Sequence, residues 1–260
     1  MRCAIATLAI GENHRSAHDA IFRPSVERYV ARHGHDLVVF EDFLVPAGER
    51  TGHMAVFEKL RVPFHERLAG YDRVMVLDVD VLVSASAPPL DSLDLGGRIG
   101  IVDEWCQPSG EGHRKFQEIN GLPVTAPGYH ALSGFRIETE RVLNSGMFVC
   151  SPELHGPLFR DLVARHAEIH RSHPRGPHYE QSVLSYELQT RDLAAILPAA
   201  WNCLWPLHRR SILWGPPDTG LGAAERWADL RRFREVVDAN FFVHMAGGLD
   251  HDLAYLSRHR

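Results

Sequence analysis

Two aspartates one residue apart, Asp78 and Asp80, close the apolar run Val74-Met75-Val76-Leu77. Carboxylates beside a buried strand are costly unless they are paired, hydrated or bound to a cation. In an extended chain, residues two apart point to the same side, so both could offer oxygens to one ion. A hard divalent cation such as Mg²⁺ takes one or two carboxylates and completes its shell with substrate phosphates. The same aspartates could instead cap the turn that follows the strand. Just beyond them Val81-Leu82-Val83 resumes the apolar run.

The elements around this pair suggest how it is held. The β-branched run at 74–77 reads as a strand buried on both faces. Upstream, residues 3–9 read as a first strand with the polar exit Gly11 to Arg15. A helical spacing of apolar residues follows over 16–33, with Pro24 bending it or delaying its start and Gly34 ending it. Residues 37–40 make a second strand. After a loop containing Pro46, Gly48 and Gly52, a helix pattern runs over 54–68 and breaks near Pro63. Alternating strands and helices predict an α/β fold, a single domain with a mainly parallel central sheet flanked by helices. Ligands of such sheets bind beyond the carboxyl ends of the strands, where Asp78 and Asp80 stand.

Downstream, residues 98–102 read as a strand, and 103–139 show no clear period and read as a long functional loop. Asn144-Ser145-Gly146 leads into a strand over 147–150, with Asn144 a candidate for a left-handed turn residue. A helix starting near Pro152 is expected to reach about residue 170. A linker over 171–177 precedes a helix from Tyr179 through Leu188. Strands are expected at 193–197 and 240–243, the last ending at His244, with a short terminal helix after it. No internal repeat or low-complexity segment interrupts the chain.

Composition narrows the function. The chain has 260 residues and a formal charge of −5, so no broad electrostatic footprint for nucleic acid is present. An acidic protein handling an anionic substrate needs local cations, either side chains or a metal. Four scattered cysteines without a Cys-x-x-Cys argue against a zinc ribbon or a disulfide scaffold. No apolar run is long enough for a membrane helix, and the opening residues fit a buried strand better than a signal peptide; a cytoplasmic location is expected. Strand one ends without Gly-x-Gly-x-x-Gly, which disfavours a dehydrogenase.

Four segments in order, Tyr71 to Val83 around Asp78-Val79-Asp80, then Leu143-Asn144-Ser145-Gly146-Met147, Glu180-Gln181-Ser182-Val183-Leu184 and Val243-His244-Met245-Ala246-Gly247, resemble one family. They are similar to the nucleotide-sugar glycosyltransferases of GT-A (Rossmann-like) type, most of all the retaining families grouped around family 8. The resemblance spans about 3–250 and implies a nucleotide-binding part at about 1–103 and an acceptor-side part at about 104–260. It implies a UDP-sugar donor, an unidentified acceptor and retention of anomeric configuration. It also implies a metal held by Asp78, Asp80 and His244; imidazole tilts the choice to Mn²⁺ over Mg²⁺. Asn144, Glu180 and Gln181 would form the catalytic group under the donor sugar. Thr7, Leu8 and Ala9 would line the base and ribose pocket, and Lys59, Val79, Ser145, Gly247 and Gly248 would complete the donor site.

The chain departs from that pattern in two places. Glu180 stands where the family has aspartate, one methylene shorter. The lysine expected just after Gly247 is missing, with Leu249, Asp250 and His251 in its region, which shifts diphosphate contacts toward Lys59 or another basic residue. The alternatives are an inverting GT-A transferase, a nucleotidyltransferase, or a sugar-nucleotide-binding protein without turnover. Trp201, Trp205 and Trp214 could form an acceptor platform or anchor a loop to the core. His170, His173 and His178 read as a solvated loop, not a second metal site.

Overall fold

The computed structural model describes residues 1–49, 55–166, 179–208 and 223–246. The strands are β1 (Cys3–Leu8), β2 (Asp36–Phe40), β3 (Arg73–Leu77), β4 (Val81–Val83), β5 (Ile99–Asp103), β6 (Leu143–Cys150), β7 (Ala194–Leu197), β8 (Cys203–Leu204) and β9 (Phe242–His244). The helices are α1 (Glu12–Ala17), α2 (Arg23–His33), α3 (Gly110–Ile119), α4 (Ala126–Ala131), α5 (Pro152–Arg165), α6 (Tyr179–Thr190), α7 (Trp205–His208) and α8 (Ala223–Ala239).

The large sheet has the order β2-β1-β3-β6-β5-β7. β1 runs parallel to β2 and β3, and β5 parallel to β7, while β6 is antiparallel to both β3 and β5. The sheet is therefore mainly parallel, with β6 reversed at its centre. Its side chains alternate between two cores. Ala4, Ala6, Val74 and Val76 face the layer built by α5, α6 and the 3₁₀ segment Ala55–Phe64. Cys3, Ile5, Met75 and Leu77 face the layer with α2 and β4. Each large apolar side chain so buried contributes about 1.5–3 kcal/mol before entropy is counted.

Several expectations need correction. The first helix is interrupted before the proline: α1 passes through a π-helical turn, His18–Phe22, into α2. Pro24 lies in the first turn of α2, where its missing N–H costs nothing. Gly34 ends α2 at φ 68°, a left-handed cap that glycine adopts without strain. The expected helix over 54–68 is 3₁₀, over Ala55–Phe64 and Glu66–Leu68; Pro63 lies inside the first piece. Residues 103–139 are not a structureless loop. Ser109 and Thr125 accept hydrogen bonds from the backbone N–H groups of Gly112 and Gly128 and cap α3 and α4. Those short helices escape a search for long periodic patterns. The helix α8 was not foreseen. The linker at 171–177 and the terminal helix fall outside the described residues.

The run around the two aspartates also divides. β3 belongs to the large sheet, whereas β4 joins a second sheet in the order β4-β9-β8. Residues 78–80 are the turn between the two sheets, with Asp80 buried and Asp78 half-buried. The aspartates therefore converge through a turn and not through the two-residue period of an extended strand.

Candidate functional site

The turn at Asp78 is tied to β6, because the Asp78 N–H donates to the Gly146 carbonyl at 2.9 Å. Its other end is tied to β9, where the Met245 N–H donates to the Asp80 carbonyl at 3.0 Å. In the small sheet His244 lies between Val81 of β4 and Leu204 of β8. Three distant parts of the chain thus meet at one corner. One ligand atom each from Asp78, Asp80 and His244 lie within 4.8 Å of one another. His244 Nε2 is 3.3 Å from Asp80 Oδ1 and 3.7 Å from Asp78 Oδ2. Adjacent ligands of an octahedral ion with bonds of about 2.1 Å lie about 3 Å apart, so small movements would bring these atoms to a divalent cation.

The second half of the site is built on an irregularity in β6. Ile101 pairs with Phe148, but its neighbour Val102 pairs with Asn144. Ser145, Gly146 and Met147 are thus extra residues against β5, and such bulges re-aim side chains beside active sites. Asn144-Ser145-Gly146 lies within the strand, so the turn reading of Asn144 is corrected. Gly146 is needed because a Cβ there would overlap the His244 ring and come within 2.9 Å of Asn144 Oδ1.

Facing this bulge, α6 brings Glu180 and Gln181. Ser145 Oγ donates to Glu180 Oε1 at 2.8 Å. Asn144 Nδ2 donates to Gln181 Oε1 at 3.0 Å. Lys59, on the 3₁₀ segment, joins the halves: its Nζ lies 2.6 Å from Asp78 Oδ1 and 3.0 Å from Glu180 Oε1. Two oxygens of Asp78 thus serve two purposes, one held by the ammonium and one facing His244.

Charge decides what this corner needs. Burial alone would lower the His244 pKa, but Asp80 and Asp78 outweigh it and raise it. Burial would raise Asp80, and His244 overrides it and holds the carboxyl below the usual range. Burial pushes Asp78 up against the pull of Lys59 and His244. Burial would depress Lys59, but Asp78 and Glu180 raise it, so the ammonium stays charged. Burial pushes Glu104 up to about 7, against hydrogen bonds from Asn144 and Gln181. Among the described residues, Asp78, Asp80 and Glu180 surround Lys59 and the His244 imidazole. A cation at the triad would redress that excess, and the donor set of two carboxylates and an imidazole fits Mn²⁺ or another divalent ion.

Sequence reasoning missed Glu104, Tyr129 and Asn202, all buried here. Glu104 follows Asp103 at the carboxyl end of β5, as Asp78 follows β3, and that position was its signal. Asn202 stands between tryptophans and carried none. Thr7, Leu8 and Ala9 lie at the carboxyl end of β1, with the Thr7 hydroxyl buried and unpaired among the described residues. Trp201 stacks on Phe242 at 5.4 Å and Trp205 meets Phe233 edge-on at 4.9 Å. Both are core anchors, so neither supplies an exposed platform. Trp214, Gly247, Gly248, Leu249, Asp250, His251, His170, His173 and His178 lie outside the described residues.

No protein-family model and no curated sequence matches the chain. Solved structures do. The galactosyltransferase LgtC, in complex with donor and acceptor sugar analogues, aligns at a TM-score of 0.60 with 14% identity, covering 98% of this chain and 95% of its own. A glycosyltransferase involved in glycosylation of the major capsid of PBCV-1 aligns at 0.55 with 13% identity, over 100% and 98% of the two chains. The glycosyltransferase GlyE of Streptococcus pneumoniae TIGR4 aligns at 0.55 with 12% identity, over 100% of this chain and 61% of its own. The chain has the GT-A fold, and the solved structures it resembles are glycosyltransferases.

Proposed function

We propose that this protein is a divalent-cation-dependent glycosyltransferase. It would move a sugar from a nucleoside diphosphate donor, UDP-linked, to an acceptor with retention of configuration. The observation that carries the reading is the convergence of Asp78, Asp80 and His244 at the carboxyl end of β3, joined through Lys59 to Glu180. The similarity to LgtC, which was captured with donor and acceptor sugar analogues, supports a sugar-transfer site on this fold.

Each residue then has a task. Asp78 and Asp80 present carboxylate oxygens and His244 its Nε2 to the cation, Mn²⁺ before Mg²⁺. When bound there, the ion would act as a Lewis acid on the diphosphate and offset charge on the leaving group. Lys59 keeps Asp78 and Glu180 at a fixed separation. Its charge is already matched by two carboxylates, so offsetting the donor diphosphate would fall chiefly to a cation held by the triad. Thr7, Leu8 and Ala9 would receive base and ribose, with the Thr7 hydroxyl as an open hydrogen-bonding group. Val79 would pass its backbone beside the diphosphate, as would Gly247 and Gly248. Glu180 and Ser145 would hold sugar hydroxyls, with Asn144 and Gln181 setting the wall against which the anomeric carbon reacts. Retention requires deprotonation of the acceptor on the face the leaving group vacates, a role for the departing phosphate. The nucleotide half is about 1–103 and the acceptor half about 104–260.

The test is thermal unfolding with UDP and a panel of nucleotide sugars, with and without Mn²⁺. A rise in Tm that requires both nucleotide and cation supports the reading. Equal UDP affinity in Asp80→Asn, with Mn²⁺ present, would sink the cation assignment. Turnover of a nucleoside triphosphate with pyrophosphate release would replace transfer with nucleotidyl chemistry. The anomeric configuration of the product, read by NMR, decides retention.

A further inference from the structure

Asn144 and Gln181 are engaged through every polar atom of their amides. Asn144 Nδ2 donates to Glu104 Oε2 at 2.8 Å and to Gln181 Oε1 at 3.0 Å. Its Oδ1 accepts from the Gly146 N–H at 2.9 Å and from Asn202 Nδ2 at 2.7 Å. Gln181 Oε1 also accepts from the Ser145 N–H at 3.2 Å. Its Nε2 donates to Glu104 Oε2 at 3.0 Å and to the Tyr129 hydroxyl at 2.8 Å. A side-chain amide has two N–H donors and one oxygen with two lone pairs, so both groups are saturated inside the protein.

We propose that Glu104 is a positioning residue: one carboxylate oxygen, accepting from both amides, locks Asn144 and Gln181 each in a single orientation. An amide can flip by 180°, and its two ends are told apart only by their partners. Here the backbone N–H groups of Gly146 and Ser145 can only donate, so they face the amide oxygens. Glu104 Oε2 accepts, so it faces the nitrogens. A flip of either amide would set oxygen against carboxylate and NH₂ against a backbone N–H. Both clamping bonds fall on Oε2, while Oε1 points elsewhere, 4.0 Å from His113 Nε2. The clamp therefore survives protonation of Oε1. With Glu104, Asn144 and Gln181 each about 6% exposed, water cannot easily substitute for the carboxylate.

Two further contacts extend the frame. Gln107 Nε2 donates to the Asn202 carbonyl at 2.9 Å, and its Oε1 accepts from the Leu204 N–H at 2.9 Å. The small sheet that delivers His244 is thereby keyed to the same amides. A prearranged polar wall needs no reorganisation when charge develops in front of it. That catalytic consequence rests on the glycosyltransferase reading; the orientation of the amides does not.

The experiment uses ¹⁵N-labelled intact protein, with the side-chain NH₂ signals assigned through Asn144→Asp and Gln181→Glu. In the unaltered protein both NH₂ groups should exchange with solvent at least 100-fold more slowly than exposed side-chain amides. Exchange as fast as exposed amides overturns the proposal without any variant. Glu104→Leu, which removes the acceptor at similar size, should speed exchange at both groups at least tenfold, with Tm and circular dichroism checked; no change at either overturns it. In transfer or donor hydrolysis, Glu104→Leu should lower kcat about 100-fold and leave the donor KM within threefold. A rise in KM with kcat intact would make Glu104 a binding group and also overturn it. If no donor is turned over by the unaltered protein while the NH₂ groups behave as stated, the glycosyltransferase reading fails and the clamp stands.

Discussion

Two clusters of buried carboxylates sit on opposite ends of α6, and they are finished to different degrees. At one end Glu187, 2% exposed, receives both guanidinium nitrogens of Arg165 at 2.8 and 3.0 Å, Arg191 Nε at 2.9 Å and His166 Nε2 at 2.7 Å. Burial would raise that carboxyl, but Arg165 and His166 hold it below its usual value. Every demand of the charge is met from within the chain, and the cluster clasps α5 to α6. At the other end Glu180 shares one ammonium with Asp78, and Asp80 pairs with the His244 imidazole. The first arrangement is complete as a structure. Under the proposed reading the second would be completed by a cation, which is what distinguishes a site from a strut.

The contrast can be broken experimentally. The largest expected effect is at the unfinished end. Asp80→Asn should weaken Mn²⁺-dependent UDP binding about 100-fold, equivalent to about 2.7 kcal/mol, and lower the Tm without metal only slightly, because the pairing with His244 is lost while repulsion from Asp78 is relieved. Calorimetric titration checks the first part and thermal unfolding the second. At the finished end the effects should exchange places. Glu187→Gln should cost about 2 kcal/mol of stability, since a carboxylate with several charge-assisted bonds is lost, with UDP affinity unchanged. Glu187 also carries a pH signature: its depressed pKa contributes stability above the unfolded value of 4.5, lost as pH falls through the folded one. Denaturant titrations between pH 3 and 6 should show that slope vanish in the variant.

Gly146→Ala comes next. The added methyl would occupy the His244 ring position, so Mn²⁺ affinity should fall about tenfold while the large sheet persists, as metal titration and circular dichroism would show. The last effect, which needs no substitution, is the pH dependence of the triad. His244 is raised by Asp80 and Asp78, so its pairing stabilises the metal-free protein below the unfolded value of 6.5 and is lost as pH rises through the folded one. Binding of a cation requires that proton to leave. Mn²⁺ affinity should therefore rise with pH, by up to about tenfold per unit, and level off above the folded pKa; a pH-independent affinity would remove His244 from the ligand set.

The strands of the fold were legible from local patterns, and the candidate site from the resemblance of four ordered segments to one family. Val74 to Leu77 could only be a buried strand, and two carboxylates at its end required an explanation. The glutamate and glutamine opening α6, and the histidine ending β9, stood in order with them. What escaped depends on pairing between distant segments. Nothing local shows that β4 leaves the sheet of β3, or that β6 gains three residues against β5, because both are settled by register with strands far along the chain. Glu104 escaped for a related reason: an acid after a strand is unremarkable until the fold sets two amides against it. The short helices α3 and α4 are fixed by side-chain caps more than by an apolar stripe, so a search for periodicity passes over them.

The small sheet has a consequence for how the protein comes into being. Its strands are supplied by 81–83, 203–204 and 242–244, and His244 lies 164 positions after Asp80. During synthesis β1, β2 and β3 leave the ribosome long before the last ligand of the triad is translated. Under the proposed reading a nascent chain cannot hold its cation, or commit a costly activated sugar, until β9 has docked. Competence would switch on once, late and together with the closing of the fold.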